Sequence, residues 1–260
     1  MEKKLDISVI SPVFNELENL ETFVESVTAV MNSTNMSWEL IIVDDGSNDG
    51  SSKILKKIGH QENIRSILLS KNYGQTTAIQ AGFDNAVGEY FVTLDSDLQN
   101  DPKDIPMLIQ KLINEELDLV VGWRKDRKDN YFFRNLPSIL ANKLIGTITG
   151  VKLHDYGCSL KAYRAEVLKE VKLYGEMHRF IPAWMATKIP ASKISEIEVT
   201  HHPRIAGESK YGISRTFRVF VDLISVYFFM KFFSKPGHFF GLIGLCLLYT
   251  SPSPRDSLSS

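Results

Sequence analysis

The sequence predicts an α/β fold, an open and mostly parallel sheet flanked by helices. Three observations carry the expectation. Short runs rich in Val, Ile and Leu alternate with stretches whose apolar residues recur at helical spacing. Apolar residues dominate these runs, as they should in strands covered on both faces. The chain has 260 residues, 43% of them hydrophobic, enough for a substantial core.

The first expected strand covers residues 7–10 and leads to helical spacing over 17–31. The second, 39–43, precedes a helix over 51–58 with Asp49 placed as a cap. A third strand at 66–69 is followed by a helix over 75–86. A fourth at 90–94 leads, through Asp104 as a cap, to a helix over 105–117, and a fifth covers 119–121. Beyond it the pattern loosens. Residues 135–149 suit one helix, 180–187 a short one set by Pro182, and 194–199 a half-buried strand. There is no internal repeat.

From Arg215 onward the composition changes. Residues 217–233 are crowded with aromatic and aliphatic side chains yet carry Arg218, Asp222 and Lys231, which suits a helix lying in a membrane interface. Residues 239–249 form an uncharged apolar run, shorter than the roughly 20 residues that cross a bilayer. They are expected to begin a truncated transmembrane segment, with the Ser/Pro-rich residues 250–260 as a non-native tail. Between His201 and Lys235 six Lys/Arg stand against two acids, a bias that marks the cytoplasmic side of a membrane. The expected organisation is therefore a main domain over 1–212, an amphipathic juxtamembrane helix over 213–235, the membrane segment over 236–249 and the tail.

Composition excludes several classes of function. Lys+Arg 30 against Asp+Glu 31 gives a net charge of -1, too balanced to bind nucleic acid through an overall field. Cys158 and Cys246 lack metal-ligand spacing and suggest no disulfide framework, which fits a reducing compartment. Residues 1–15 carry no secretory signal pattern.

In such a sheet ligands gather outside the carboxyl ends of the strands. Strand one ends in SPVFNE at 11–16 and strand two in DDGS at 44–47, so Glu16 and Asp45 can face one ligand. Carboxylates beside a nucleotide crevice suit a ribose diol or a base N–H; ordinary turn chemistry is the alternative for each motif alone. The sharper signal is DSDLQ at 95–99, directly after strand four. In an extended chain Asp95, Asp97 and Gln99 point the same way, and three hard oxygen donors call for Mg²⁺ or Mn²⁺. After strand five, Arg124, Lys125, Arg127, Lys128 and Arg134 outnumber Asp126 and Asp129, a cationic lip suited to phosphate. Arg134, Ser138 and Asn142 recur every four residues, so one helix face could present them to an anionic head group.

With these motifs in this order, the sequence resembles the family 2 glycosyltransferases of the GT-A, Rossmann-like fold. Within them it is similar to the polyprenyl-phosphate sugar transferases, the group of dolichol-phosphate mannose synthase and the bacterial undecaprenyl-phosphate enzymes. The resemblance covers residues 6–248 and rests also on VDDGS at 43–47, KNYG at 71–74, VGWR at 121–124, DYG at 155–157, MHRF at 177–180 and GESKY at 207–211. It implies a UDP- or GDP-sugar donor, a polyprenyl phosphate acceptor, and a membrane-associated enzyme that can oligomerise through its membrane segments. It implies that Pro12, Phe14, Glu16, Asp45, Lys71 and Asp95 hold the nucleotide sugar, joined by Arg204 and Lys210 from a loop around Gly207. Asp95, Asp97 and Gln99 would hold the metal, and Arg124, Arg134 and Ser138 the acceptor phosphate, with Asp97, Arg124 and Asp155 as the catalytic set. Where the acceptor is an alcohol, the acid matching Asp155 is a general base. A phosphate acceptor is already an anion, so Asp155 is expected to orient the acceptor or a cationic partner. His178 and Arg179 can equally be structural. Two other functions compete: a family 2 enzyme acting on a soluble or cell-surface glycan, and a non-catalytic, membrane-anchored nucleotide-sugar sensor.

Overall fold

The computed structural model describes residues 5–125, 145–147, 150–173, 175–203, 224–225, 227–228, 232 and 235–250. The chain divides into two compact units, Met1–Ile213 and Ser214–Ser260.

The first unit is built on a seven-stranded sheet of order β3-β2-β1-β4-β6-β5-β7. Its strands are β1 (Ile7–Val13), β2 (Trp38–Asp44), β3 (Ile64–Leu68), β4 (Tyr90–Thr93), β5 (Leu119–Trp123), β6 (Lys161–Arg164) and β7 (Ile194–Glu198). Strands β1 to β4 pair in parallel, as do β5 and β7, while β6 runs antiparallel between β4 and β5. Every residue of β2 is buried, which explains the unbroken apolar run at 40–43.

Helices follow the strands as the periodicity predicts: α1 (Leu17–Asn32), α2 (Ser51–Ile58), α3 (Gln75–Asn85) and α4 (Ile105–Asn114). Helix α1 buries Leu20, Phe23, Val24, Val27 and Met31, one stripe at spacings of three and four, against Val9, Leu40 and Ile42 of the sheet. Each such side chain contributes about 1.5–3 kcal/mol by leaving water. Asp49 accepts from the Ser51 N–H at 2.9 Å at the start of α2. Asp104 does not cap α4 as expected; its carboxylate accepts from the Thr200 N–H at 2.7 Å, and Asp101 instead caps the short 3-10 turn Pro102–Asp104. Shorter pieces complete the unit: α5 (Ala165–Leu168), the 3-10 turn Met177–Phe180 and α6 (Ile181–Met185).

Strand β6 is the element that the sequence pattern does not announce. It is four residues long, KAYR, and both of its cations disguise it. Because it runs antiparallel, its first residue, Lys161, sits at the edge where β4 and β5 end, opposite Thr93 and Val121. The loop that leads into it is thereby drawn to the sheet's carboxyl edge.

In the second unit α7 (Pro236–Thr250) coincides with the expected apolar run. Its first turn packs Phe239 against Phe228 and Phe232, with ring centroids 5.1 and 5.3 Å apart. No helix among the described residues is long and apolar enough to cross a membrane. Where a transmembrane segment is expected to begin, the described residues form this 15-residue helix. The helix expected over 135–149 and the interfacial helix over 217–233 lie mostly outside the described residues, and residues 251–260 lie wholly outside them.

Candidate active site

The parallel register brings the ends of β1, β2 and β4 to one edge: Val13 lies opposite Asp44, and Ile10 opposite Thr93. A cleft of about 270 Å³ opens there, lined by Pro12, Val13, Phe14 and Glu16 after β1, Asp45 after β2, and Asp95, Ser96 and Asp97 after β4. A fourth wall comes from Asn72, Gly74 and Gln75 at the start of α3.

That wall is a strap hung on Asp45. The carboxylate oxygens of Asp45 accept from the Tyr73 and Gly74 N–H groups at 2.7 and 2.8 Å. The strap lies so close to the β2–α2 turn that a β-carbon on Gly46 would come within 2.4 Å of the Lys71 carbonyl carbon. Only glycine fits, and Gly46 also holds φ at +71°. Beyond the strap, Gln75 donates from Nε2 to Asp95 Oδ1 at 2.9 Å, and Thr76 Oγ1 lies 2.6 Å from His178 Nδ1. Burial, with the Arg179 and Lys161 charges, pushes His178 down to about 3, so its ring is neutral.

Behind the cleft lies a cluster of buried charge. Arg124, just past β5, grips Asp155 in a bidentate pair, Nε to Oδ2 at 2.6 Å and Nη2 to Oδ1 at 3.0 Å. Both side chains are nearly buried, at 11% and 12% exposure. Burial opposes the charge of Arg124, but Asp155 raises its pKa further above the ordinary arginine value. Lys161 is buried, donates to the Cys158 carbonyl, and has its pKa lowered by desolvation. Asp95 is pushed up to about 6, first by desolvation and then by the neighbouring Asp97 carboxylate. Burial likewise raises the Cys158 thiol to about 11, so that cysteine is an inert core group.

The structure thus gathers Pro12, Phe14, Glu16, Asp45, Asp95 and Asp97 at one cleft. The extended geometry expected for residues 95–99 is not adopted. Leu98 takes φ +59°, the chain turns, and Asp97 Oδ1 accepts from the Gln99 N–H at 3.1 Å. Gln99 is not among the lining residues, and its carbonyl accepts from the His202 N–H at 2.7 Å. Lys71 is exposed on the strap with its ammonium 5.2 Å from the Tyr73 ring centroid. Arg134, Ser138, Arg204 and Lys210 lie outside the described residues. Sequence reasoning missed Gln75 and Lys161. The first looks like any helix-opening residue, and the second is hidden in a strand that the apolar pattern does not reveal.

Asp95 and Asp97 suit a hard divalent cation, since Mg²⁺ and Mn²⁺ bind through one or two carboxylates with substrate phosphates completing the shell. Burial first and the Asp97 charge second raise the Asp95 pKa, and a bound cation would offset both. Among the described residues no group of three or more His, Cys, Asp or Glu is placed to hold a metal alone.

A family model described as Glycosyl transferase family 2 matches residues 8–172. A dodecaprenyl-phosphate galacturonate synthase of Rhizobium johnstonii is 57% identical over 247 residues, covering 94% of this chain and 73% of that protein. An undecaprenyl-phosphate 4-deoxy-4-formamido-L-arabinose transferase of Aeromonas hydrophila is 38% identical over 221 residues, covering 84% of this chain and 67% of that protein. Among solved structures, a glucosyl-3-phosphoglycerate synthase of Mycobacterium tuberculosis, in complex with Mn²⁺, UDP-glucose and glycerol 3-phosphate, aligns with a TM-score of 0.64. Its identity is 18%, over 87% of this chain and 80% of that one, so this likeness speaks for the GT-A-like fold alone.

Proposed function

Because the chain belongs to glycosyl transferase family 2, we propose that it carries a sugar from a nucleotide-diphosphate donor to a polyprenyl phosphate at the cytoplasmic face of a membrane, inverting the anomeric carbon. The observation that carries this reading is the junction at one sheet edge of a carboxylate-lined cleft with a buried Arg124–Asp155 pair.

Pro12 and Phe14 wall the nucleoside side, and Glu16 offers acceptor oxygens to ribose hydroxyls. Asp45 acts first as the anchor of the strap, keeping spare lone pairs for a base N–H. Asp95 and Asp97 would hold Mg²⁺ or Mn²⁺, which would supply positive charge to the departing diphosphate. The lipid phosphate attacks the anomeric carbon opposite the leaving group, which sets the inversion. Since that phosphate is already an anion, Asp155 serves to fix the Arg124 guanidinium toward negative charge, and positioning with electrostatic stabilisation supplies most of the acceleration. Arg134 and Ser138 are proposed for the acceptor phosphate, and Arg204 and Lys210 for the donor side. Helix α7, with Phe240, Leu245, Leu247, Leu248 and Tyr249 exposed, is proposed as the beginning of a membrane segment.

The test is incubation of the protein with Mn²⁺, polyprenyl phosphate and a panel of UDP- and GDP-sugars that includes a galacturonate donor, followed by mass analysis of the lipid fraction. A sugar-phosphoryl-polyprenol product is expected. Transfer to soluble glycans with no lipid-linked product would refute the acceptor assignment.

A further inference from the structure

Gln75 lines the cleft and bonds to Asp95 without belonging to either set of donors inferred above. It is the first residue of α3, and its amide nitrogen meets Asp95 at 2.9 Å. A carboxylate can only accept, so the amide must present its NH₂ to Asp95, and its orientation is settled by chemistry. The backbone that carries it is pinned on either side. Tyr73 and Gly74 donate to Asp45, which is 2% exposed, and Thr76, also 2% exposed, bonds to His178 in the 3-10 turn Met177–Phe180. Four consecutive residues therefore engage three separate parts of the fold. The segment 73–76 has little slack, and the Gln75 amide is held where Asp95 needs it.

We propose that Gln75 is a positioning residue, fixing the Asp95 carboxylate for cation binding through a strap tied to Asp45 and His178. The proposal rests on the reading of Asp95 and Asp97 as cation ligands. A neutral amide suits this role because it orients a carboxylate without cancelling the charge that the cation needs, whereas a lysine in its place would compete. Outer partners of ligating carboxylates have this effect generally, and losing one costs about 10–100-fold in metal affinity or activity. The strap also joins the carboxylate at the nucleoside end, Asp45, to the carboxylate at the cation end, Asp95. Disturbing its anchor should therefore weaken cation binding at a distance.

The experiment is Mn²⁺ titration of the full chain, followed by electron paramagnetic resonance, with UDP present and absent. Gln75→Met keeps the length of the side chain and removes the amide; its Kd for Mn²⁺ should rise about 10–100-fold while the melting temperature stays near that of the parent. Saturating Mn²⁺ should restore much of the turnover of the variant, a rescue that a merely structural defect would not show. Thr76→Val, which cuts the His178 tie, should raise the Kd by a smaller factor. If Gln75→Met does not fold, Gln75→Asn, which withdraws the amide by one methylene, takes its place with the same expectation. A Kd within twofold of the parent in the folded variant overturns the proposal and leaves the cation reading standing. A parent chain that binds no Mn²⁺ overturns both.

Discussion

Replacing Asp155 with Asn would leave the Arg124 guanidinium buried without its counter-charge. The two side chains are 11% and 12% exposed and share bonds of 2.6 and 3.0 Å, so solvent screens little of the loss. Removing one partner of a buried pair costs about 3–5 kcal/mol. Asn keeps one carbonyl acceptor for the guanidinium, which puts the expected cost near the lower figure, about 3 kcal/mol. For a domain of this size each kcal/mol lowers the melting temperature by roughly 2–4 °C, so a drop of about 6–12 °C is expected. Circular dichroism melts of the full chain measure it. The double variant Arg124→Met with Asp155→Leu should recover most of the lost stability, because an apolar pair of similar volume replaces a buried ion pair at little net cost. The double variant should recover stability without regaining transfer activity. In residual activity, Asp155→Asn should lower the rate without removing a limb of the pH–rate profile, as befits a residue that holds Arg124 rather than one that takes a proton. A melt within 2 °C of the parent, or a pH–rate limb that vanishes with the carboxylate, would refute the reasoning.

Three further outcomes follow from the geometry. Asp97→Ala should reduce transfer by about 10³-fold, the several kcal/mol expected of a lost cation site, while its far-UV spectrum matches the parent; full activity would refute the cation reading. Gly46→Ala must place a β-carbon 2.4 Å from the Lys71 carbonyl carbon at φ +71°, so the strap has to move. A stability loss of about 1–3 kcal/mol and weaker UDP binding by calorimetry are expected, and parent-like values in both would contradict the close packing. His178 is held neutral with its pKa near 3, below the unfolded value of about 6.5. Its contribution to stability is therefore complete above pH 6.5 and is lost as pH falls toward 3, by at most about 1.4 kcal/mol per pH unit. Urea midpoints of His178→Gln between pH 6.5 and 4 should fall less steeply than those of the parent.

The strands from β1 to β5 and the helices between them were legible in the sequence because burial on both faces leaves runs dominated by apolar residues and one-sided helices leave stripes. The boundaries slipped where local chemistry decides them: the third strand begins at Ile64 rather than at residue 66, and α4 ends at Asn114. Strand β6 was not legible, since four residues with a cation at each end carry no pattern and its pairing is specified by neighbours far along the chain. The cleft's carboxylates could be seen as motifs after strands. Their arrangement could not: the left-handed Leu98 breaks the two-residue alternation on which the alignment of Asp95, Asp97 and Gln99 depended. The pairing of Arg124 with Asp155 likewise needs the antiparallel β6, which draws residues 155–160 back to the end of β5.

The two ends of the sheet treat buried charge differently. At the amino edge Glu39 is 4% exposed, yet it accepts from Ser8 Oγ at 2.6 Å and the Val87 N–H at 3.0 Å and pairs with Arg65 at 2.6 Å. Its charge is satisfied by the fold, and nothing more is needed there. At the carboxyl edge, among the described residues of the cluster, Asp95, Asp97 and Asp155 stand against Arg124 and Lys161, and repulsion from Asp97 helps to raise Asp95 to about 6. One end is finished by the protein, whereas the other keeps a negative charge in excess, which a bound cation would offset. Divalent cation should therefore stabilise the folded chain: at 100 times its Kd, Mn²⁺ adds about 2.7 kcal/mol, or roughly 5–11 °C in melting temperature. Asp97→Ala should abolish that shift, whereas Glu39→Gln should lower the melting temperature and leave the shift intact. A Mn²⁺ shift equal in Asp97→Ala and the parent would place the cation elsewhere and refute this division of charge between the two edges.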